Sequence, residues 1–368
     1  MIAVADALRA EADVRVVYVG TERGIETRIV PERGDELELL DVLPIRGKGV
    51  GGAVRGAARA LLTLPAARKL AQRLGVRAVF AAGGYASGPM ALGAWTARIP
   101  IAVLAPDVEL GLTNRWLLPF ARRAYVAFGA TENRIGRGVA LRTGVPLRGA
   151  FRPSPYVPAP GRFSVLVLGG SQGAMALNEI LPAALAAAAR SVPGLSILHQ
   201  TGQGRADDVA RRYRELGLEA AARVVPFIDE IAVELARADL VVGRAGASSL
   251  AELCAVGRAA ILIPFPAAGA HQAANADALV AVGAAVSIPQ REATSGRIER
   301  EIFDLAHDAT RRTRMADAAR GEGRPDAARE IARDLLALAG ASLEGGALAG
   351  RAAGAALGAA AFLGGAHV

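Results

Sequence analysis

The sequence predicts an α/β chain built from two doubly wound, largely parallel sheets in tandem. Three observations predict it. Short apolar runs ending in Gly or polar residues alternate with helical stretches almost throughout, the pattern of parallel strands buried on both faces. The 368 residues are enough for two cores. A proline-rich stretch, FRPSPYVPAPGR, separates the runs into two series; it disfavours helix and ladder alike and reads as a stiff linker.

The chain opens on MIAVADALRA, in which Met1, Ile2, Val4, Ala5 and Leu8 are spaced like one face of a helix. The strands expected next are VRVVYVG, AVFAAGG, PIAVLAP and AYVAFGA. After the linker come FSVLVLGG, LSILHQTG, ARVVPFI, LVVGRAG and AAILIPFP, with helices such as MALNEILPAALAAAARS and ASSLAELCAVG between them. The expected domains are 1–149, a linker at 150–162, a second domain at 163–335 whose last helix can return to the first, and an Ala/Gly-rich tail at 336–368. The second series begins with strand, Gly-rich turn and helix, whereas the first begins with a helix alone. A Rossmann half ordinarily has its first strand near the middle of the sheet. Either the natural reading frame starts upstream, at a strand and a Gly-rich loop, or this domain has a smaller sheet; the first is the expectation.

Hydrophobic residues make up 52% of the chain but aromatics only 4%, so the cores are expected to be packed from Ala, Val and Leu. The net charge of +8 suits a phosphorylated substrate, an anionic membrane surface or nucleic acid, or simply an Arg-rich composition. Aromatics interleaved with basic residues are missing, which argues against nucleic acid. The single cysteine, Cys254, excludes an internal disulfide framework and suits a reducing compartment. Asp6, Arg9, Glu11 and Asp13 interrupt any signal-peptide core. No stretch reads as a membrane span; the tail comes nearest but is broken by Arg351 and reads as a weakly ordered extension.

The chemistry concentrates in three turns. In VLVLGGSQGAMALNE, Gly169, Gly170 and Gly173 allow a tight turn between a strand and a helix starting near Ala174, and a helix N-terminus offers free amides to a phosphate. Ser171 can add a hydroxyl, and Asn178 faces outward or braces the turn. There is no dinucleotide fingerprint and no P-loop lysine. An ordinary strand–helix turn also favours Gly. GRAGASSLAEL repeats the device: Gly246 and Ala247 permit close approach, Ser248 and Ser249 supply cap-like hydroxyls, and Glu252 lies one turn on. In PFPAAGAHQAANA, His271, Gln272 and Asn275 gather over one helical turn, suited to sugar hydroxyls or to a solvated helix start.

Together GGSQGA, HQTG, PFID, RAGASSLAE and HQAANA, with GTERGIE, IRGKG, GGYASGP and GLTNRWL in the first half, closely resemble the MurG family of peptidoglycan N-acetylglucosaminyltransferases (glycosyltransferase family 28). The likeness runs to about residue 335. It implies a GT-B fold, two Rossmann-like domains facing a cleft, and an inverting, metal- and cofactor-independent transfer from UDP-N-acetylglucosamine to the C4 hydroxyl of lipid I, giving lipid II. By position it places Ser171 and Gln172 at the diphosphate and nucleoside, and Ile228 at uracil through its backbone. Ala247 and Ser249 fall on the sugar and phosphate side. Glu252 falls at the ribose, His271 and Gln272 at the hexose, and Arg148 near the donor phosphates. Helix N-termini and an arginine suit the charge developing on departing UDP.

Two departures from the family pattern concern the acceptor side. The family's Gly-rich loop ending in histidine, the usual candidate base, is not in this chain: His199, His271, His307 and His367 all follow the linker. The family's His-Glu-Gln-Asn stretch falls on Leu104–Asp107, leaving Asp107 or Glu109 as the carboxylates available as base, and an ordinary Asp is a weak one. Alternatives are a related transferase using another lipid acceptor, or a non-catalytic UDP-sugar-binding protein. For the membrane, Leu61, Leu62 and Leu64 lie among Arg55, Arg59, Arg68, Lys69 and Arg73, and Trp116 lies near Arg115, Arg122 and Arg123. Such apolar anchors ringed by cations suit the cytoplasmic face of an anionic membrane; packed leucines under solvated charges are the plainer reading.

Overall fold

The computed structural model describes residues 1–340 except 23, 41–49, 84–86, 171–172 and 267–269, and describes 50–61 by backbone only. The chain divides into two compact units. One comprises Met1–Pro106, Leu110–Arg148 and the described residues from Asp326 onward; the other comprises Asp107–Glu109 and Gly149–Pro325.

In the first unit, helices α1 (Ile2–Glu11), α2 (Glu26–Glu32), α3 (Val50–Arg73), α4 (Ser87–Thr96), α5 (Leu112–Leu117) and α6 (Gly129–Ile135) alternate with strands β1 (Val17–Gly20), β2 (Glu36–Leu39), β3 (Val79–Ala81), β4 (Ile101–Ala105), β5 (Arg123–Val126) and β6 (Ala140–Arg142). The strands form two parallel sheets, β1-β2 and β3-β4-β5-β6. Both sheets feed the same two cores. Val17, Val19, Val79, Ala81 and Val103 enter one with α3 and α4, while Val16, Tyr18, Phe80, Ala102 and Leu104 enter the other. The alternation of strand side chains between faces produces this sorting.

The second unit has one six-stranded parallel sheet in the order β12-β11-β10-β7-β8-β9. Its strands are β7 (Phe163–Leu168), β8 (Leu195–Gln200), β9 (Ala222–Val225), β10 (Leu240–Gly243), β11 (Ala260–Leu262) and β12 (Ala285–Ser287). The helices are α7 (Met175–Ala189), α8 (Ala206–Glu215), α9 (Ile231–Arg237), α10 (Ala247–Val256), α11 (His271–Ala281), α12 (Ser295–His307) and α13 (Ala309–Glu322). The strand order reverses direction at β7, between β8 and β10, the kind of switch point where such sheets bind ligands.

The proline-rich stretch has neither helix nor ladder, but it is packed down on the second unit rather than standing free. Phe151 and Tyr156 are buried. The Tyr156 hydroxyl donates to Asp239 Oδ1 at 2.7 Å and accepts from Arg312 Nε at 2.8 Å. Buried Arg258 donates to the Ser154 carbonyl at 2.7 Å. A buried cation is costly unless its donors are paired; here the two terminal nitrogens reach backbone carbonyls of Ser154, Gly257 and Ala236, while Nε is left without a partner among the described residues.

The last described helix, α14 (Ala327–Leu338), belongs to the first unit. Its Ile331, Ala332, Leu335 and Leu336 share a core with Val4, Ala5 and Leu8 of α1. Asp334 accepts from Arg123 Nε at 2.9 Å and from the Tyr125 hydroxyl at 2.8 Å. Arg123, counted among the basic residues around Trp116, is therefore committed to an ion pair inside its own unit.

Candidate functional site

The strand β7 runs out at Leu168 into Gly169 and Gly170, and the chain re-enters helix at Met175 with Ala174 as its N-cap. Gly173 has φ +73°, and a Cβ there would stand 2.0 Å from the Thr201 carbonyl oxygen. Only glycine fits both the conformation and the space. Among the described residues no side chain caps α7, and no acidic residue lies in its first turn; leading amides of this kind are suited to an anion.

Behind this turn lies a buried polar network. Asn178 Nδ2 donates to the Thr201 carbonyl at 3.0 Å. Its Oδ1, 3.1 Å from His199 Nε2, is therefore an acceptor, which fixes the proton of His199 on Nε2. Nδ1 then accepts from the Tyr213 hydroxyl at 3.0 Å. Burial pushes His199 down to about 3, so the imidazole is neutral. Asn178 braces the turn rather than facing outward.

Gln200, the residue after His199, is also buried. Its Nε2 donates to the Gly170 carbonyl at 3.0 Å and its Oε1 accepts from the Ile228 amide at 3.2 Å. Ile228 is itself buried, beside half-exposed Phe227.

The second turn places Gly246 as N-cap of α10, with Ala247 as the first helical residue. Neither Ser248 nor Ser249 caps the helix, contrary to the cap-like role expected of them; their hydroxyls make no bond to the leading amides. Ser249 and Glu252 are half-buried, one turn apart on α10. Arg244, in the same turn, was missed by the sequence reading. It donates to the Ile263 carbonyl at 2.9 Å and stacks over the Phe265 ring at 5.2 Å.

At the start of α11, His271 Nδ1 lies 3.0 Å from the Glu109 carbonyl oxygen. A carbonyl only accepts, so Nδ1 carries a proton, and in the neutral tautomer with that proton Nε2 is the acceptor. Gln272 uses its Oε1 to accept from the Phe265 amide at 2.9 Å, leaving its Nε2 as a donor. An acceptor and a donor thus stand on adjacent residues, the combination a sugar hydroxyl matches. Asn275 does not join them. It is fully buried and takes the Val108 amide on Oδ1 at 2.9 Å while giving Nδ2 to Asp107 Oδ1 at 2.7 Å and the Ala245 carbonyl at 3.2 Å. The expectation that Asn275 presents its amide to a sugar is corrected: those groups are consumed inside the fold.

Residues 1–126 match the glycosyltransferase family 28 N-terminal domain and 164–331 the family's C-terminal domain. A UDP-N-acetylglucosamine--N-acetylmuramyl-(pentapeptide) pyrophosphoryl-undecaprenol N-acetylglucosamine transferase of Sorangium cellulosum is 53% identical over 343 residues, spanning 92% of this chain and 85% of that one. This chain belongs to glycosyltransferase family 28.

A transferase of the same name from Pelobacter propionicus is 40% identical over 88% of this chain and 91% of its own. The crystal structure of Acinetobacter baumannii MurG superposes with a TM-score of 0.78 at 28% identity, covering 91% of this chain and 94% of that one. The two-unit α/β architecture with parallel sheets is that of a GT-B glycosyltransferase.

Among the positions that the family resemblance marks, the second unit brings Ile228, Ala247, Ser249, Glu252, His271 and Gln272 to the ends of its strands or the helix starts that follow them. It also holds Asp107 and Glu109 against α11 through Asn275 and His271. Ser171 and Gln172 fall outside the described residues, as do 341–368 of the tail, His367 among them; the tail's first residues, through Leu338, instead belong to α14. Arg148 is exposed at the end of the first unit.

Of the basic and apolar residues expected at a membrane, the side chains of Arg55, Arg59 and Leu61 are outside the described set. Leu62 is 79% exposed, Leu112 71% and Trp116 61%. Trp95 packs edge-on against Phe120 with ring centres 4.8 Å apart. Among the described residues no helix is long and apolar enough to cross a membrane.

Proposed function

We propose that this family 28 glycosyltransferase moves N-acetylglucosamine from UDP-N-acetylglucosamine to the C4 hydroxyl of lipid I, forming lipid II with inversion at the anomeric carbon. The observation that carries the donor side is the glycine turn before α7, whose leading amides take no side-chain cap among the described residues. In this reading the diphosphate sits on those amides with Ser171 and Gln172, and the Ile228 backbone meets uracil. Ala247 and Ser249 lie along the phosphate and sugar, and Glu252 holds the ribose. The acceptor–donor pair of His271 Nε2 and Gln272 Nε2 reads the hexose hydroxyls, and Arg148 adds charge toward the phosphates.

Chemically, the bond from the anomeric carbon to the β-phosphate oxygen breaks as the C4 hydroxyl attacks from the opposite face. Charge accumulates on UDP, where fixed amides and a guanidinium stabilise it without a metal. The hydroxyl proton passes to a base, and Asp107 and Glu109 are the carboxylates this reading offers. Asp107 accepts from Asn275 at 2.7 Å, and the Glu109 carbonyl meets His271 Nδ1 at 3.0 Å. Exposed Trp116, Leu112 and Leu62, with Arg115 and Arg122 near Trp116, suit peripheral attachment to an anionic leaflet where a lipid acceptor resides.

Calorimetric titration of the full chain with UDP-N-acetylglucosamine tests the donor side. Heat of binding that falls at least tenfold in affinity in Glu252→Ala supports it. Absence of binding to the wild-type chain overturns it.

A further inference from the structure

The carboxamide of Gln200 touches two segments that the donor reading assigns to different parts of the nucleotide. Backbone pairing places Gln200 beside Leu168, the last residue of β7, and its own carbonyl accepts from the Gly169 amide at 3.2 Å. Its side chain then reaches in two directions: Nε2 to the Gly170 carbonyl at 3.0 Å, and Oε1 to the Ile228 amide at 3.2 Å. The first is the glycine turn assigned to the diphosphate. The second is the loop after β9 assigned to the base. Gln200 itself is 6% exposed; its bond to Ile228 is buried and its bond to Gly170 is part-buried, which limits the access of competing water.

We propose that Gln200 is a positioning residue that ties the diphosphate turn to the nucleoside loop, so that the donor's base and phosphates are gripped as one rigid unit. This deepens the donor-site reading above and rests on it. The geometry demands an amide. One end must donate to a carbonyl and the other must accept from an N–H, which a carboxamide of this reach does in one protonation state at every pH. Leucine fills the space and does neither. A glutamate carboxylate accepts from Ile228 but repels the Gly170 carbonyl; once protonated, its O–H donates to Gly170 and its other oxygen still accepts from Ile228.

The test uses the full chain as wild type, Gln200→Leu and Gln200→Glu, each titrated with UDP-N-acetylglucosamine at pH 5.5 and pH 8. The expected result is a loss of about 10–100-fold in donor affinity for Q200L at both pH values, the span of one to two lost hydrogen bonds. For Q200E a similar loss is expected at pH 8, with recovery of at least fivefold at pH 5.5. In turnover the loss should appear in the donor KM rather than in kcat. The wild type carries the same His199, Arg205 and Asp229 around these segments, so its own pH dependence subtracts theirs. If Q200L does not fold, the pH response of Q200E decides alone. A wild type that binds the donor while Q200L binds equally well, or while folded Q200E shows no recovery at pH 5.5, overturns the coupling and leaves the donor site standing. A wild type that binds no UDP-N-acetylglucosamine overturns the donor-site reading and this inference with it.

Discussion

Asn275 Nδ2 lies 2.7 Å from Asp107 Oδ1, and the same side chain accepts the Val108 amide through Oδ1 at 2.9 Å. One buried amide on α11 therefore holds a segment 168 residues away in sequence. Replacing it by leucine leaves the Val108 amide and the Ala245 carbonyl without this partner. We expect a stability loss of about 1–3 kcal/mol in urea unfolding, the usual cost of losing buried hydrogen bonds to one side chain. Asn275→Asp sets a second carboxylate against Asp107. It should be worse than leucine at pH 8 and recover toward pH 5 as one of the pair takes up a proton. Equal stability of N275L and wild type would count against the clamp.

His199 gives the fold a defined acid sensitivity. Its imidazole is held neutral down to about 3 by burial, whereas in the unfolded chain it titrates near 6.5. The unfolded state thus binds the proton first as pH falls. The stabilisation is fully present above about pH 6.5 and is lost progressively toward pH 3, by at most about 1.4 kcal/mol per pH unit. Unfolding free energies measured between pH 7 and pH 4 should show this slope in the wild type and a shallower one in His199→Phe. Parallel slopes would mean that the imidazole is not buried as described.

Gly173→Ala should abolish donor binding more than it harms the fold. The added methyl would meet the Thr201 carbonyl at 2.0 Å from a backbone at φ +73°, so the turn must move. An affinity loss of 100-fold or more for UDP-N-acetylglucosamine is expected, with the circular dichroism spectrum retained. Unchanged affinity would show that the turn does not carry the phosphates.

The single thiol offers a check on packing. Cys254 is buried in α10, and burial with Glu322 nearby pushes its thiol up to about 12. A thiol reagent at pH 8 should label it only on unfolding. Rapid labelling of the native protein would contradict the packing of α10 described above.

How much of this the sequence disclosed depended on burial. Every apolar run named as a strand is one: β4, β5, β7, β8, β10 and β11 are interior to their sheets, where both faces must be apolar, and the edges β1, β3 and β9 were legible because they too are apolar runs. The strands that went unread are β2, β6 and β12, sequences ELEL, ALR and AVS. Each is the edge of its sheet, where one side is open, so charged or polar residues enter and the signal fades. At the site the same divide holds. Gly173 was legible because its residue type is itself the constraint. The commitments of Gln200 and Asn275 were not, since nothing local to HQTG or HQAANA names Ile228 or Val108 as partner. Asn275 looked like a sugar ligand from its helical spacing with Gln272; its full burial decides otherwise.

The most direct test is a transfer assay with the purified 368-residue chain, radiolabelled UDP-N-acetylglucosamine and lipid I, without added metal. The expected products are a labelled lipid carrying one β-linked N-acetylglucosamine and stoichiometric UDP, with Gly173→Ala inactive. Donor binding without any labelled lipid, or transfer that survives G173A at the wild-type rate, would contradict the proposed function.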